Sequence, residues 1–221
     1  MISKTSVVTI VDYGAGNLFS VVRAFRYLGA TVVITADPKA TIKASKIILP
    51  GVGAFGAAME AMRSRGLDEA VCAFAAKGKP ILGICLGMQL LFESSVEFGF
   101  HKGLALAKGS VKKIDLLKNN DSYNIKVPHI GWNSVLSNVE KDHYESNPLM
   151  KSVSNGSFFY FVHSYVVNPV DMQTVIATTT YGQQCFCSVF NRNNIFGCQF
   201  HPERSGEVGL KVYKNFLDTN M

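Results

Sequence analysis

The sequence predicts an α/β fold: a mostly parallel central sheet flanked by helices, with an added antiparallel β region in the C-terminal half. Three observations predict it. Continuous apolar runs, the kind buried on both faces of a parallel sheet, alternate with helically spaced apolar residues through the first half. From about Gly109 the helical patterns give way to β-like segments divided by turn residues. A hydrophobic fraction of 48% against 17% charged residues excludes disorder and supplies a core for a chain of 221 residues.

The elements follow in order. Val7-Val8-Thr9-Ile10-Val11 reads as a buried strand that stops at Asp12-Tyr13-Gly14-Ala15-Gly16. Asn17 is placed to cap a helix whose apolar residues Val21, Phe25 and Leu28 share a face, and Gly29 ends it. Thr31 to Thr35 is the second strand and Lys46 to Leu49 the third. A glycine-rich turn and a helix through Met62 come next, then a helix from Leu67 to Lys77 and a strand from Pro80 to Ile84. Beyond Gly109, the segments Ser110 to Leu116, Phe158 to Val167, Thr174 to Thr180, Cys185 to Asn191 and Ile195 to Phe200 read as antiparallel hairpins attached to this core. Asn119 to Ser122 is a hairpin tip or loop. Gly206 to Leu217 closes the chain as a helix with Val208, Val212, Phe216 and Leu217 on one face.

Composition removes several function classes. Lys and Arg number 22 against 16 Asp and Glu, a net +6, but they are scattered in ones and twos such as Arg23/Arg26 and Lys112/Lys113. A nucleic-acid interface would concentrate them, so solvated surface is the expectation and no nucleic acid is a partner. No run of about eighteen apolar residues exists, so no membrane span is expected. Met1 to Thr5 leads into the first strand without a signal-peptide layout, which points to a soluble cytoplasmic protein. Five cysteines, an odd set without C-x-x-C, argue against a disulfide framework and a zinc ribbon. Neither H-E-x-x-H nor a cluster of acids occurs, so no metal and no cofactor are expected.

Chemistry concentrates in three places. In Gly83-Ile84-Cys85-Leu86-Gly87 a buried strand ends, a nucleophile follows, and a helical pattern with Met88, Leu91 and Phe92 begins at once. Small residues on either side of Cys85 permit the sharp strand-to-helix turn known from the G-x-S-x-G elbow. The helix N-terminus favours a thiolate there. The Leu86 N–H, left over by the helix, points where an oxyanion would form. His201-Pro202-Glu203 supplies a base and its orienting carboxylate, side by side if the backbone is extended. Gly51-Val52-Gly53-Ala54-Phe55-Gly56 matches G-x-G-x-x-G, but the next strand ends at Cys85 rather than at an acid, which disfavours a dinucleotide site. A glycine loop across from Cys85, offering a second N–H to the oxyanion, and plain turn chemistry both remain. Of the other histidines, His163 could line a pocket or be a satisfied core residue, while His101 and His143 have polar neighbours and should be exposed. His129 lies in a segment with the only tryptophan, Trp132.

Together, Pro50-Gly51-Val52-Gly53, Gly83-Ile84-Cys85-Leu86-Gly87-Met88-Gln89 and His201-Pro202-Glu203 resemble the three motifs of the class I (triad) glutamine amidotransferases. Asp12-Tyr13-Gly14-Ala15-Gly16-Asn17-Leu18 and Pro128-His129-Ile130-Gly131-Trp132-Asn133 resemble one branch of that family, the glutaminase subunits of imidazole glycerol phosphate synthase. The resemblance spans essentially the whole chain, which implies that residues 1–221 form one domain of the class. It implies hydrolysis of L-glutamine by a Cys85–His201–Glu203 triad through a γ-glutamyl thioester. Leu86 and the Val52/Gly53 region would form the oxyanion hole, and Gly51, Gln89, Glu97, Ser164 and Tyr165 would bind the substrate.

The resemblance also implies a partner. Ammonia would pass to a separate (β/α)₈-barrel cyclase subunit in a heterodimer. Glutaminase activity would stay low until that subunit and its ligand bind, with the Gly51–Gly53 loop as the switch. Three other readings stay open at this stage: the glutaminase of a different amidotransferase, a non-catalytic partner-binding module of the same fold, and a cysteine peptidase.

Overall fold

The computed structural model describes residues 6–14, 16–115, 126–138 and 141–219. The polar run Asn119 to Ser122 and the segment Met1 to Thr5 lie outside them. The first half is built as β1 (Val7–Val11), α1 (Leu18–Tyr27), β2 (Thr31–Thr35), α2 (Pro38–Lys43), β3 (Ile47–Leu49), α3 (Phe55–Ser64), α4 (Leu67–Ala75) and β4 (Ile81–Ile84). Helix α2 has no counterpart in the apolar periodicity. Its signal is local: Asp37 accepts from Lys39 N at 2.9 Å as the N-cap, and Pro38 occupies the first turn. Asn17 holds the N-cap position of α1 but does not cap the backbone; its Nδ2 donates to Ser20 Oγ at 3.1 Å instead.

Strands β2, β1, β3 and β4 are paired in parallel in that order. The side chains of β1, β3 and β4 alternate between two cores, while β2 is the half-exposed edge strand. Val8, Ile10, Ile48, Leu82 and Ile84 face one cluster with Val21 and Phe25 of α1. Val11, Ile47, Leu49 and Ile81 face the other, with Met59 and Met62 of α3 and Val71 and Phe74 of α4. Burial on both faces is why these strands read as unbroken apolar runs rather than as alternating ones.

After Cys85 the chain departs from its sequence pattern. Helix α5 (Leu86–Leu90) is short, and Phe92, expected in the same helix, opens β5 (Phe92–Ser95). The change of rhythm therefore begins before Gly109. Strands β6 (His101–Lys102) and β7 (Ala107–Lys113) follow, then β8 (His129–Ser134), β9 (Leu136–Ser137) and α6 (Lys141–Ser146). The apolar run Phe158 to Val167 is not one strand but two: β10 (Phe158–His163) pairs with β8, and β11 (Tyr165–Pro169) pairs with β7. The chain switches sheets at Ser164, where His163-Ser164 interrupts the apolar residues without indicating which partner each half takes. Strands β11, β7, β5 and β6 form a separate four-stranded sheet.

Strands β12 (Val175–Tyr181), β13 (Gln184–Arg192) and β14 (Ile195–Cys198) are antiparallel neighbours, as the turn pattern suggests. They do not merely attach to the core, because β14 lies parallel to β4 and continues the main sheet, whose order is β2-β1-β3-β4-β14-β13-β12-β9. Helix α7 (Gly206–Asp218) then returns to pack beside α1 in the first cluster. The register of β14 on β4, Cys198 opposite Ile84, carries the functional consequence. Chain leaving the C-terminal ends of two adjacent parallel strands meets in one crevice, where open α/β sheets place their ligands.

Candidate active site

Cys85 sits at the turn between β4 and α5 with φ 53 and ψ −110, a left-handed conformation that a side chain adopts only under strain. Close packing enforces it. A Cβ on Gly87 would stand 1.7 Å from Leu49 O, and one on Gly83 would stand 2.7 Å from the Gly87 carbonyl. Both flanking positions of the elbow must therefore be glycine. Cys85 N donates to Cys198 O at 2.8 Å, which ties the elbow to β14. The thiol is buried and its Sγ lies 3.8 Å from Val162 O and 3.5 Å from Gln199 Nε2.

His201 leaves β14 with extended backbone, but Pro202 to Arg204 form a single 3-10 turn rather than the extended triplet expected from sequence. Proline at the first position of that turn costs no hydrogen bond. The turn still brings the pair together: His201 Nδ1 and Glu203 Oε1 are 2.8 Å apart, with both side chains almost wholly buried. Ser205 clamps the segment, donating from Oγ to His201 O at 2.7 Å and accepting from Tyr160 N at 3.0 Å. On the far side of the carboxylate, Tyr213 donates to Glu203 Oε2 at 2.8 Å.

With Nδ1 turned to the carboxylate, the other ring nitrogen is the one left to act as a base. Nε2 is buried and has no hydrogen bond of ordinary geometry, as is common before a substrate tightens a site. The Cys85 sulfur is nonetheless its neighbour and acts on it. Burial works against the charged imidazole, but the neighbouring Cys85 and the Glu203 carboxylate outweigh it and hold His201 up at about 10. Burial likewise acts to raise Glu203, and the hydrogen bonds from His201 and Tyr213 overcome it, so the carboxyl lies below its ordinary range.

In front of Cys85 opens a cavity of about 240 Å³. Val52, Gly53, Leu86, Gln89, Glu97, Ser164 and Tyr165 line it together with Cys85 itself. His201 and Glu203 lie behind the sulfur, outside the wall. Gly51, expected to bind substrate, does not line the cavity either. It is buried beneath the loop, where a Cβ would meet Tyr13 Oη at 2.4 Å, and Tyr13 itself donates to Pro50 O. Gly53, at φ +114, takes a conformation that glycine adopts freely, and Val52 beside it is exposed. The glycine-rich hexapeptide is thus a loop across from Cys85 that leads into α3.

The outer wall has fixed polarity. Glu97 Oε2 accepts from Phe55 N at 2.6 Å, the first residue of α3, which binds the carboxylate to the end of the glycine loop. Gln89 spends its amide hydrogens on Tyr165 O at 2.9 Å and Gln199 Oε1 at 3.1 Å, so only its oxygen remains to meet a ligand. His163 also lines the cavity and is at the same time a satisfied buried residue. Its Nδ1 donates to Tyr165 O at 3.0 Å, and its Nε2 accepts from His129 Nδ1 at 3.1 Å. Burial pushes His163 down to about 3 and His129 to about 4, so both rings are neutral. His101, expected to be exposed, is half-buried against Gly56, and the His143 side chain falls outside the described residues. Gln199, Ser205, Tyr213 and the His129–His163 pair carry no sequence signal of their own; the spacing of each to its partner exists only in the fold.

A buried thiol at a helix N-terminus, a carboxylate-oriented imidazole behind it and a small cavity in front form an arrangement suited to acyl transfer. The volume lies below the roughly 300–1,000 Å³ of sites for drug-sized ligands, which favours a smaller acyl donor. Comparison with known proteins agrees. The profile of the family described as Glutamine amidotransferase class-I matches residues 9–219. The chain is 50% identical over 209 residues to imidazole glycerol phosphate synthase subunit HisH of Sulfurimonas denitrificans, covering 95% of this chain and 96% of that protein. It is 46% identical to the HisH subunit of Chlorobium chlorochromatii, covering 96% and 99%. Among solved structures, PurLQS from Thermotoga maritima aligns with a TM-score of 0.68 at 21% identity, covering 97% of this chain and 98% of that one, a likeness of fold alone.

Proposed function

The chain belongs to the class-I glutamine amidotransferase family, and from that premise we propose that it is the glutaminase subunit of an imidazole glycerol phosphate synthase. It hydrolyses L-glutamine to glutamate and ammonia in histidine biosynthesis. The observation that carries this reading is the placement of Cys85, at the end of β4, between the His201–Glu203 pair that follows β14 and a cavity sized for an amino acid.

The mechanism uses His201 in both half-reactions. His201 Nε2 takes the Cys85 proton, and the thiolate attacks the side-chain amide carbon of glutamine. The C–N bond breaks as His201 returns the proton to the departing ammonia, leaving a γ-glutamyl thioester. Water, deprotonated by the same nitrogen, attacks the thioester carbon; the C–S bond breaks as His201 returns the proton to Cys85 Sγ, and glutamate leaves. Glu203 fixes the ring's tautomer throughout. Both tetrahedral intermediates carry an oxyanion, to which Leu86 N–H and an N–H of the Val52/Gly53 loop are assigned as donors. Glu97 and the Gln89 oxygen, acceptors both, suit the substrate's α-ammonium, with Ser164 and Tyr165 beside them. Gly51 supports the loop from beneath rather than touching the ligand.

The partner is a cyclase, by this reading a (β/α)₈ barrel forming a heterodimer with this chain in the cytoplasm, and the catalytic domain is taken as the whole of residues 1–221. The outer face of the β8–β10 ribbon supports a docked partner. Ile130, Trp132 and Phe158 are exposed there, Arg204 stacks on Tyr160 at 4.8 Å, and the inner edge of the same ribbon touches Cys85 through Val162. Ammonia released at the thiol is therefore a short distance from the partner's side. Low activity of the free subunit, relieved when the Val52/Gly53 loop turns an N–H toward the oxyanion, completes the proposal. Among the described residues no helix is long and apolar enough to cross a membrane.

The test is glutamate release with and without a histidine-pathway cyclase and its ribonucleotide ligand. Activation by that cyclase and not by other synthases is expected, with turnover abolished in Cys85→Ala and His201→Asn while partner binding persists. Full activity of the Cys85→Ala variant would remove the mechanism.

A further inference from the structure

Gln199 is wholly buried, two residues before His201 and between Cys198 and Phe200 in the core. A carboxamide there is costly unless its polar atoms are paired. Its backbone N–H is already used on Ser188 O at 3.0 Å. Its side chain is paired as well, and the pairing has only one possible direction. Tyr165 O can only accept, so the Gln89 amide must turn its Nε2 toward it, at 2.9 Å. The second hydrogen of that nitrogen then goes to Gln199 Oε1 at 3.1 Å. With its oxygen thus engaged, Gln199 presents its NH₂ to Cys85 Sγ at 3.5 Å. The opposite flip would set two NH₂ groups against each other and aim a carbonyl oxygen at the sulfur.

Two groups therefore compete for the sulfur. Val162 O, at 3.8 Å, accepts from the thiol and is repelled by a thiolate. The Gln199 NH₂ is a weak partner of the thiol and a strong one of the thiolate. Resting on the glutaminase reading above, we propose that Gln199 is a positioning residue for the nucleophile, its carboxamide holding Cys85 Sγ and its negative charge in place, and that Gln89 sets its direction. Gln89 also lines the substrate cavity, so the residue that meets glutamine is one hydrogen bond removed from the group that steadies the sulfur.

The test is the pH profile of Cys85 alkylation by iodoacetamide, read on the Cys85 peptide by mass spectrometry because Cys185 is exposed and Cys72 half-buried. Gln199→Met keeps the shape and removes the donor. It is expected to displace the profile to higher pH and to slow alkylation at about pH 7 by roughly tenfold to a hundredfold, the effect of one hydrogen bond to a charged group. Gln199→Glu, which sets a carboxylate beside the sulfur, displaces it further. Gln89→Met, which frees Gln199 to turn, moves it in the same direction by less. Profiles of folded Gln199→Met and Gln89→Met that coincide with the wild type overturn the proposal; if Gln199→Met does not fold, Gln89→Met decides. Alkylation needs neither glutamine nor partner. A wild type that fails to hydrolyse glutamine would thus remove the reaction and leave this contact standing, whereas coincident profiles would remove the contact and leave the reaction.

Discussion

Tyr213 donates its phenolic hydrogen to Glu203 Oε2 at 2.8 Å while Glu203 Oε1 receives His201, so the carboxylate is held from both sides. The tyrosine is itself fixed: its ring stacks on Phe25 with centroids 4.4 Å apart, and it is wholly buried on α7. Helix α7 reaches this position because Gly209 lies against Pro202, where a Cβ would come within 2.0 Å of the carbonyl oxygen. Tyr213→Phe keeps the stacking and deletes one hydrogen bond to a buried charge, worth roughly 1.5–3 kcal/mol. A fall in kcat of about tenfold to a hundredfold with little change in KM is expected, because by the proposed mechanism the loss acts on the imidazolium that Glu203 stabilises. Steady-state glutaminase kinetics in the presence of the cyclase check it, and a wild-type kcat would show that His201 alone suffices to hold the carboxylate.

The pKa of His201 gives stability a direction with pH. Its folded value of about 10 lies above the ordinary 6.5, so its contribution is fully present below about pH 6.5 and is lost as the pH climbs through about 10. Cys85 is the foremost cause of the rise. Cys85→Ala is therefore expected to lower the histidine's titration and to flatten the fall in melting temperature between those limits. Lysines and tyrosines titrating near the upper limit affect both proteins and cancel in the comparison. Parallel melting curves across the range would mean that sulfur and imidazole do not interact.

Much of this site is legible in the sequence, and the remainder is not for identifiable reasons. The elbow announces itself because Gly83 and Gly87 are required by contacts within a few residues and with one neighbouring strand. His201 and Glu203 are legible because they are two residues apart, although the local conformation that joins them is a turn rather than an extended strand. Tyr213 and Gln199 are silent because each sits in a stretch that already has an adequate apolar explanation. Tyr213 follows Val212 on the buried side of α7, and Gln199 is flanked by Cys198 and Phe200. The division of Phe158 to Val167 between two sheets is silent for a similar reason, since both halves are β-like and only their partners differ. Helix α2 is the exception. Asp37-Pro38 carried a start signal that apolar periodicity overlooked.

The elbow's glycines carry a stability prediction. In Gly87→Ala the new methyl would stand 1.7 Å from Leu49 O, a backbone atom of a central strand that cannot yield. Either α5 retreats from β3 or the strand moves, at a cost of about 1–3 kcal/mol or more. Urea unfolding is expected to show a lowered midpoint with an unchanged slope, together with lost turnover because Cys85 moves with the helix. An alanine variant with wild-type stability would mean that the turn is looser than the packing indicates.

Glu97 joins two functions, which makes its substitution informative. The carboxylate lines the cavity, where a substrate ammonium would meet it, and its Oε2 accepts from Phe55 N at 2.6 Å, where α3 begins two residues after Gly53. The positive end of α3 favours a negative group in that place, and Ser95 Oγ, accepting from Glu97 N at 3.1 Å, fixes the backbone that carries it. Glu97→Gln retains an oxygen for Phe55 N and removes only the charge. If the carboxylate binds the α-ammonium, KM for glutamine rises by roughly tenfold to a hundredfold while kcat changes much less, because the ammonium is as charged in the ground state as in the transition state. If the carboxylate instead serves only to hold the loop, KM stays put and kcat falls modestly, since the carboxamide oxygen still accepts from Phe55 N but more weakly than the carboxylate. The ratio of the two parameters in this single variant therefore separates substrate binding from loop positioning, and the geometry of the cavity favours the former.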